Sequence, residues 1–156
     1  TWIIALWKLW RIWGRRWIRE QYKYFRSHLT SNSYGSPATK WNDADEIVEF
    51  CESQGYRICL DISHSKLACN HHNESFTSFI QKVGPYTAHL HIADAKGLDG
   101  EGLPIGEGDI DFVSLANVLK EYTPGVSMIP EIWQGHENDG EEFWIALDKL
   151  EGFLGK

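Results

Sequence analysis

Short β-prone runs alternate with helical patterns through residues 41–156, and this alternation is the feature that most restricts the fold. Such an order predicts an α/β protein with a parallel sheet and connecting helices. The predicted strands cover residues 57–61, 87–92 and 126–131. The first predicted helix is capped by Asn42 or Asp43 and ends at Gly55. Three more helices are predicted at residues 74–83, 112–122 and 141–154, and Asp111 caps the second of these three. Residues 97–108 are predicted to form a glycine-rich loop, and His71 and His72 to lie in a solvated loop.

The two faces of each predicted strand differ in polarity. One face is apolar, and the other becomes polar toward the carboxyl end of the strand. The residues that share this second face are Cys59 with Asp61, His89 with His91, and Ile129 with Glu131. In an open sheet with helices on both faces these polar groups would be buried without partners, whereas in a (β/α)8 barrel they converge at the mouth where active sites lie. Because such a barrel needs about 200–250 residues, we expect a partial (β/α)8 TIM barrel, the C-terminal part of one.

Charge divides the chain into two segments. Residues 1–40 contain eight basic residues and one acid, whereas residues 41–156 contain seven basic and twenty-one acidic residues. The first segment also holds five of the eight tryptophans, at positions 2, 7, 10, 13 and 17. We therefore predict an atypical helical or irregular N-terminal segment, residues 1–40, followed by a barrel portion, residues 41–156. Three interpretations of the first segment stay open: a basic amphipathic helix in a membrane interface, an edge helix over the neighbouring domain, or a non-native stretch such as a shifted reading frame.

Composition excludes some classes of protein. The net charge of −7 argues against a general nucleic-acid binder. No run of eighteen apolar residues is present, which argues against a membrane span. The three cysteines are an odd number without the spacing of a disulfide framework, so a reduced, cytoplasmic protein is expected. A homo-oligomer and a place in a larger multidomain protein both stay open.

Several potential metal ligands lie at or just beyond the ends of the predicted strands. They are Asp61, His64, His91, Asp94 and Glu131. Carboxylates and imidazoles from three successive strands are suitable ligands for Mn²⁺, Mg²⁺, Co²⁺ or Zn²⁺. Taken singly, each is as easily explained as a loop cap or a hydrogen-bonded core residue. Their recurrence at equivalent places in consecutive βα units favours a metal or catalytic site.

Four motifs occur together in these segments: D-x-x-H at residues 61–64, H-x-H-x-x-D at 89–94, G-E-G-D-I-D-F at 106–112 and P-E at 130–131. In this order and spacing they resemble the xylose isomerase-like TIM-barrel superfamily. That superfamily includes sugar phosphate isomerases and epimerases and the endonuclease IV-type apurinic endonucleases (AP endonuclease family 2). The resemblance covers roughly residues 43–154 and corresponds to the last three βα units of the barrel.

The resemblance implies roles for residues of three of these motifs and for two residues near them. Asp61, His91 and Glu131 would bind a divalent metal ion, and Glu131 would also act as a catalytic acid/base. His64 would be catalytic or contact the substrate, or would bind a second metal in the endonuclease branch. Lys96 and Trp133 would bind the substrate, a sugar or sugar phosphate. His89 and Asp94 would orient the metal-bound imidazole.

The sequence departs from the family pattern in two places. The family has a further glutamate on an earlier strand, whereas residues 25–32 contain no acid. The endonuclease branch has a histidine just before the G-E-G loop, whereas residues 99–104 contain none. The leading hypothesis is a metal-dependent sugar or sugar-phosphate isomerase/epimerase, incomplete and inactive if the missing glutamate is essential. The alternatives are an apurinic-site endonuclease and a non-catalytic truncated barrel that binds a sugar or a protein partner.

Overall fold

A computed structural model describes residues 43–155, which form five α-helices and five strands. In chain order the elements are α1 (Ala44–Gln54), β1 (Ile58–Asp61), α2 (Ile62–His72), α3 (Phe76–Val83), β2 (Thr87–Ile92), β3 (Asp94–Lys96), β4 (Gly100–Leu103), α4 (Phe112–Tyr122), β5 (Ser127–Pro130) and α5 (Glu141–Leu154). Short 3-10 turns at Gly84–Tyr86 and Asn138–Gly140 precede β2 and α5. The predictions for the N-terminal segment, residues 1–40, lie outside the described residues.

The main sheet has three parallel strands in the order β1-β2-β5. Helices connect these strands, so the α/β prediction and the partial TIM barrel are confirmed. A second, two-stranded antiparallel sheet pairs β3 with β4 in a hairpin that follows β2. None of the helices among residues 43–155 is long and apolar enough to cross a membrane.

The helix ends follow the local chemistry of the sequence. Asp43 caps α1 by accepting hydrogen bonds from the backbone amides of Asp45 and Glu46, and Gly55 ends it at a φ of 68°, in the left-handed region that glycine tolerates best. Asp111 caps α4 in the same way. The bounds of α4 and α5 agree with the sequence prediction.

Two elements differ from the prediction. Helix α2 begins immediately after β1 and contains His71 and His72 in its last turn, so the prediction of a loop there was wrong. Its buried positions include Ser63 and Ser65, which interrupt the apolar stripe that marks a helix in sequence. The predicted loop at residues 97–108 contains strand β4, whose glycines conceal its tendency to pair.

The core lies between the helices and one face of the main sheet. It includes Leu60, Leu90 and Ile92 from the strands, with Ile80, Leu115 and Leu150 from the helices. The opposite face of the sheet is more open within the described residues, and Ile129 on it is 41% exposed. This is the face on which the sequence analysis expects the functional side chains.

Candidate metal centre

Strand register brings three ligand-type side chains together. Asp61 is paired with His91 across β1 and β2, and His91 is paired with Ile129 across β2 and β5. Glu131 follows Ile129 by two residues and therefore points to the same face of the sheet. One donor atom from each of Asp61, His91 and Glu131 lies within 4.8 Å of the other two. The predicted convergence of these three residues is therefore present in the structure.

His91 and Glu131 are in direct contact within this group. Nδ1 of His91 lies 2.5 Å from Oε2 of Glu131. Burial lowers the pKa of His91, but hydrogen bonds to Cys59 and Glu131 and the electrostatic interaction with these two groups outweigh it and raise that pKa to about 10. The metal-free imidazole is thus protonated at neutral pH. The side chain of Glu131 is 55% exposed, which leaves it open to a ligand from solvent.

Asp61 is held in place by the helix it caps. Its Oδ1 accepts a hydrogen bond from the backbone amide of His64 at 2.9 Å, and its Oδ2 lies 2.9 Å from Nδ1 of the His64 ring. Burial raises the pKa of Asp61, but the hydrogen bonds and positive charge of His64 outweigh it, so that pKa lies below its usual value. The hydrogen bond to Asp61 raises the pKa of His64 to about 9 against the opposing effect of burial, with a further contribution from Glu101. Asp61 is therefore ionised and oriented, as a metal ligand must be.

The donor set fits a divalent cation. Two carboxylates and one imidazole are acceptable to Mn²⁺, Co²⁺ and Zn²⁺, and Mg²⁺ also accepts the carboxylates. Ligand atoms at about 2.1 Å from one ion are separated by roughly 3–4 Å, so side chains whose donor atoms lie within 4.8 Å need only a small inward movement. Loss of the proton from Nδ1 of His91 would free that nitrogen for the ion. Three protein ligands leave further coordination positions for a substrate.

Asp94 occupies a different environment from the triad. Its carboxylate is fully buried and accepts hydrogen bonds from four backbone amides, those of Ala95, Gly106, Gly108 and Ile110, at 2.8–3.2 Å. These contacts fix the loop after β4. Asp94 was expected to orient the imidazole of His91. Within residues 43–155, the hydrogen bonds of its carboxylate go to backbone amides instead.

The remaining predicted residues lie around this end of the sheet. The ring of His89 meets the ring of His91 edge to face, with centroids 5.4 Å apart, and its Nδ1 lies 2.8 Å from the hydroxyl of Ser127. Burial, followed by the charge of His91, lowers the pKa of His89. Lys96 is exposed at the end of β3. Trp133 is 70% exposed shortly after β5, which leaves its indole available for stacking.

Glu101 is a site residue that the sequence analysis missed. Its Oε2 lies 2.8 Å from Nε2 of His64, on the ring edge opposite Asp61. Glu101 lies in β4, within the segment predicted as a loop, and 37 residues separate it from His64 in the chain. The only signal in the sequence is the repeated G-E-G at residues 100–102 and 106–108, which does not indicate which glutamate faces the site.

Comparison with known proteins identifies the family and the fold. A family model described as "Xylose isomerase-like TIM barrel" matches residues 28–148, beginning upstream of the predicted boundary between residues 40 and 41. The crystal structure of a D-psicose 3-epimerase with D-tagatose, from Clostridium cellulolyticum H10, is similar with a TM-score of 0.53 and 20% identity over 72% of this chain and 44% of that one. The uncharacterized protein MJ1311 of Methanocaldococcus jannaschii is 38% identical over 76 residues, 49% of this chain and 25% of that protein. The chain therefore spans less than half the length of either protein.

The family match covers most of the chain and agrees with the parallel sheet. The chain belongs to the xylose isomerase-like TIM barrel family, as its motifs indicated.

Proposed function

We propose that this chain is the metal-binding portion of a sugar or sugar-phosphate isomerase or epimerase, which moves a proton next to a carbonyl through an enediolate. The observation that carries the proposal is the convergence of Asp61, His91 and Glu131 at the carboxyl end of a parallel sheet. This is the end at which TIM-barrel enzymes have their active sites.

All three triad side chains, those of Asp61, His91 and Glu131, would hold the ion, and Glu131 would have a second role in proton transfer. A bound divalent cation supplies Lewis-acid stabilisation of the negative charge that develops on the substrate oxygen. The carboxylate of Glu131 would accept the proton from the carbon next to the carbonyl and return it to the neighbouring carbon. The exposure of Glu131 supports this role because a base must reach the substrate.

The number of proton-transfer groups decides between the two reaction types. One base can remove and return a proton on the same face of the enediolate, which gives an isomerisation. Inversion at a carbon needs a second acid on the opposite face, which makes His64 the candidate partner for an epimerisation. His64 holds a proton at both ring nitrogens when its pKa is near 9, so it is charged appropriately for this role at neutral pH.

Charge supports this class of reaction over cleavage of nucleic acid. Residues 41–156 carry twenty-one acidic and seven basic residues, and residues 99–104 contain no histidine. A surface of this charge repels the phosphate backbone of DNA. Substrates that are small sugars are therefore favoured over abasic duplex DNA.

The decisive experiment follows proton exchange directly. The full chain is loaded with Mn²⁺ or Co²⁺ and incubated in D₂O with a panel of ketohexoses and their phosphates, and NMR measures deuterium at the carbon next to the carbonyl. We expect exchange by the wild-type chain and a loss of at least about 100-fold in Glu131→Gln, since general-base groups contribute roughly 10²–10⁴ to rate. Glu107→Gln, at an exposed glutamate, is the matched control and should exchange normally. Binding of metal and sugar without exchange would favour the non-catalytic barrel, and cleavage of abasic duplex DNA without exchange would favour the endonuclease; either result would overturn the proposal.

A further inference from the structure

The hairpin formed by β3 and β4 is fixed across the carboxyl end of the main sheet. The backbone amide of Gly102 donates to the hydroxyl of Ser63 at 3.0 Å, and the carbonyl of Gly102 accepts from the amide of Trp133 at 2.7 Å. At the turn of the hairpin, the side-chain amide of Asn70 donates to the carbonyl of Gly97 at 2.6 Å. The hairpin is therefore held to helix α2 on one side and to the segment after β5 on the other.

Glu101 enters the site from this fixed backbone. It immediately precedes Gly102, the residue that is bonded on both sides, so the backbone from which its side chain extends is held in place. That carboxylate contacts Nε2 of His64 at 2.8 Å, while Asp61 contacts Nδ1 at 2.9 Å. The side chain of His64 is 45% exposed, and the side chain of Glu101 is 23% exposed. An imidazole this accessible would rotate freely without partners, and two carboxylates on opposite ring edges define a single orientation.

We propose that Glu101 is the positioning residue for His64: from hairpin β3–β4 it fixes the plane and direction of the imidazole beside the metal triad. The proposal rests on the proposed function, in which His64 acts on the substrate. Asp61 occupies Nδ1 and Glu101 occupies Nε2, so the two carboxylates fix the ring before a substrate binds, and a substrate oxygen must share the Nε2–H with Glu101 or displace it. The imidazole of His64 thereby connects Glu101 on the hairpin to Asp61, a proposed metal ligand. Hydrogen bonds of this kind orient the groups around metal sites.

The primary test measures the hydrogen bond of the His64 ring in the absence of metal and substrate. Long-range ¹H–¹⁵N NMR of the full chain, with His64→Gln used to assign the signals, reports the Nε2–H hydrogen bond. Glu101→Gln preserves the size of the side chain but replaces the charged acceptor by a neutral one, so we expect the Nε2–H signal of His64 to move upfield. Glu107→Gln is the matched control, since this exposed glutamate lies in the other G-E-G sequence, and it should leave the signal unchanged. An unchanged signal in Glu101→Gln, or an equal shift in both variants, would overturn the proposal.

A double-mutant cycle tests whether Glu101 acts through His64. Glu101→Ala should lower kcat/KM by roughly tenfold in the wild-type background, which is within the usual range for such orienting partners. The same change should have less than about a twofold effect in a His64→Ala background, because the residue that Glu101 positions is then gone. An equal loss in both backgrounds would contradict a positioning role. Absence of activity in the wild-type chain would count against the proposed function alone, since the NMR result does not depend on turnover.

Discussion

Two carboxylates follow strands of the main sheet, Asp94 after β2 and Glu131 after β5, and they differ in burial and in hydrogen bonding. Asp94 is fully buried, and its carboxylate accepts four backbone hydrogen bonds. Glu131 is 55% exposed, and His91 is the ion-pair partner found for it within residues 43–155. A buried carboxylate surrounded by backbone donors stabilises a loop, whereas an accessible one with an incomplete set of partners is available to a ligand. Residue type and position after a strand are therefore the same for Asp94 and for the proposed ligand Glu131, and the completeness of hydrogen bonding is what separates them.

The largest effect is expected from removing the structural acid. Asp94→Ala leaves three amide donors of the loop and the amide of Ala95 without their acceptor. At about 1–3 kcal/mol for each unsatisfied group, we expect a loss of about 4 kcal/mol or more in the free energy of unfolding, measured by urea denaturation. Asp99→Ala, at an exposed aspartate nearby, is the control and should change it by less than about 0.5 kcal/mol. Equal stability of the two variants would show that Asp94 does not hold the loop.

A second effect on the same region comes from the space around Gly108. A Cβ at this position would collide with the carbonyl oxygen of Ala95 and the carboxylate of Asp94. We expect Gly108→Ala to lower the free energy of unfolding by about 2–3 kcal/mol, since overpacking of this kind displaces backbone. Gly152→Ala, in α5 with open space around the added methyl, should be neutral or stabilising by up to about 1 kcal/mol. A tolerated Gly108→Ala, measured in the same denaturation series, would contradict the close packing.

The proposed metal site should instead show itself in the pH dependence of metal binding, through His91. His91 has a pKa raised to about 10 in the metal-free protein, so it carries a proton at pH 7 that a metal ion must displace. Affinity for Mn²⁺ should therefore rise by roughly tenfold per pH unit between pH 7 and 9, with release of about one proton. Calorimetry in two buffers of different ionisation enthalpy measures that proton. Affinity that is constant over this range would indicate that His91 is neutral beforehand or is not a ligand.

The smallest effect concerns the stability of the metal-free protein. The pKa of His64 is raised from its ordinary value of 6.5 to about 9, so its contribution to stability is complete below about pH 6.5 and is lost as the pH rises through 9. Because the side chain is 45% exposed, solvent screening limits this contribution to less than about 1 kcal/mol. The free energy of unfolding, measured from pH 6 to 10, should decline less in His64→Gln than in the wild-type chain. Identical profiles would show that the ion pairs of His64 do not stabilise the fold.

The sequence was sufficient to predict the parts of the structure with strong local signals. Helices α4 and α5 have clear apolar stripes, and the strand alternation placed Asp61, His91 and Glu131 on one face. The fold class followed from the polarity of that face. These features depend on periodicity and capping, which are properties of short stretches of chain.

The rest depends on contacts between distant segments. Helix α2 has serines at buried positions, and two of the four residues of β4 are glycines. The local sequence pattern therefore predicts neither element. The contact between Glu101 and His64 spans 37 residues and exists only because the hairpin is held against α2. Asp94 follows a strand as the triad acids do, and its partners are backbone amides that residue identity does not reveal.

The central claim, that Asp61, His91 and Glu131 form a divalent-metal site, is tested most directly by titrating the full chain with Mn²⁺ in a calorimeter. We expect one ion bound per wild-type chain, binding weakened by about 100-fold or more in His91→Ala, and unchanged binding in Glu107→Gln. No binding by the wild-type chain, or equal affinity in the wild type and His91→Ala, would contradict it.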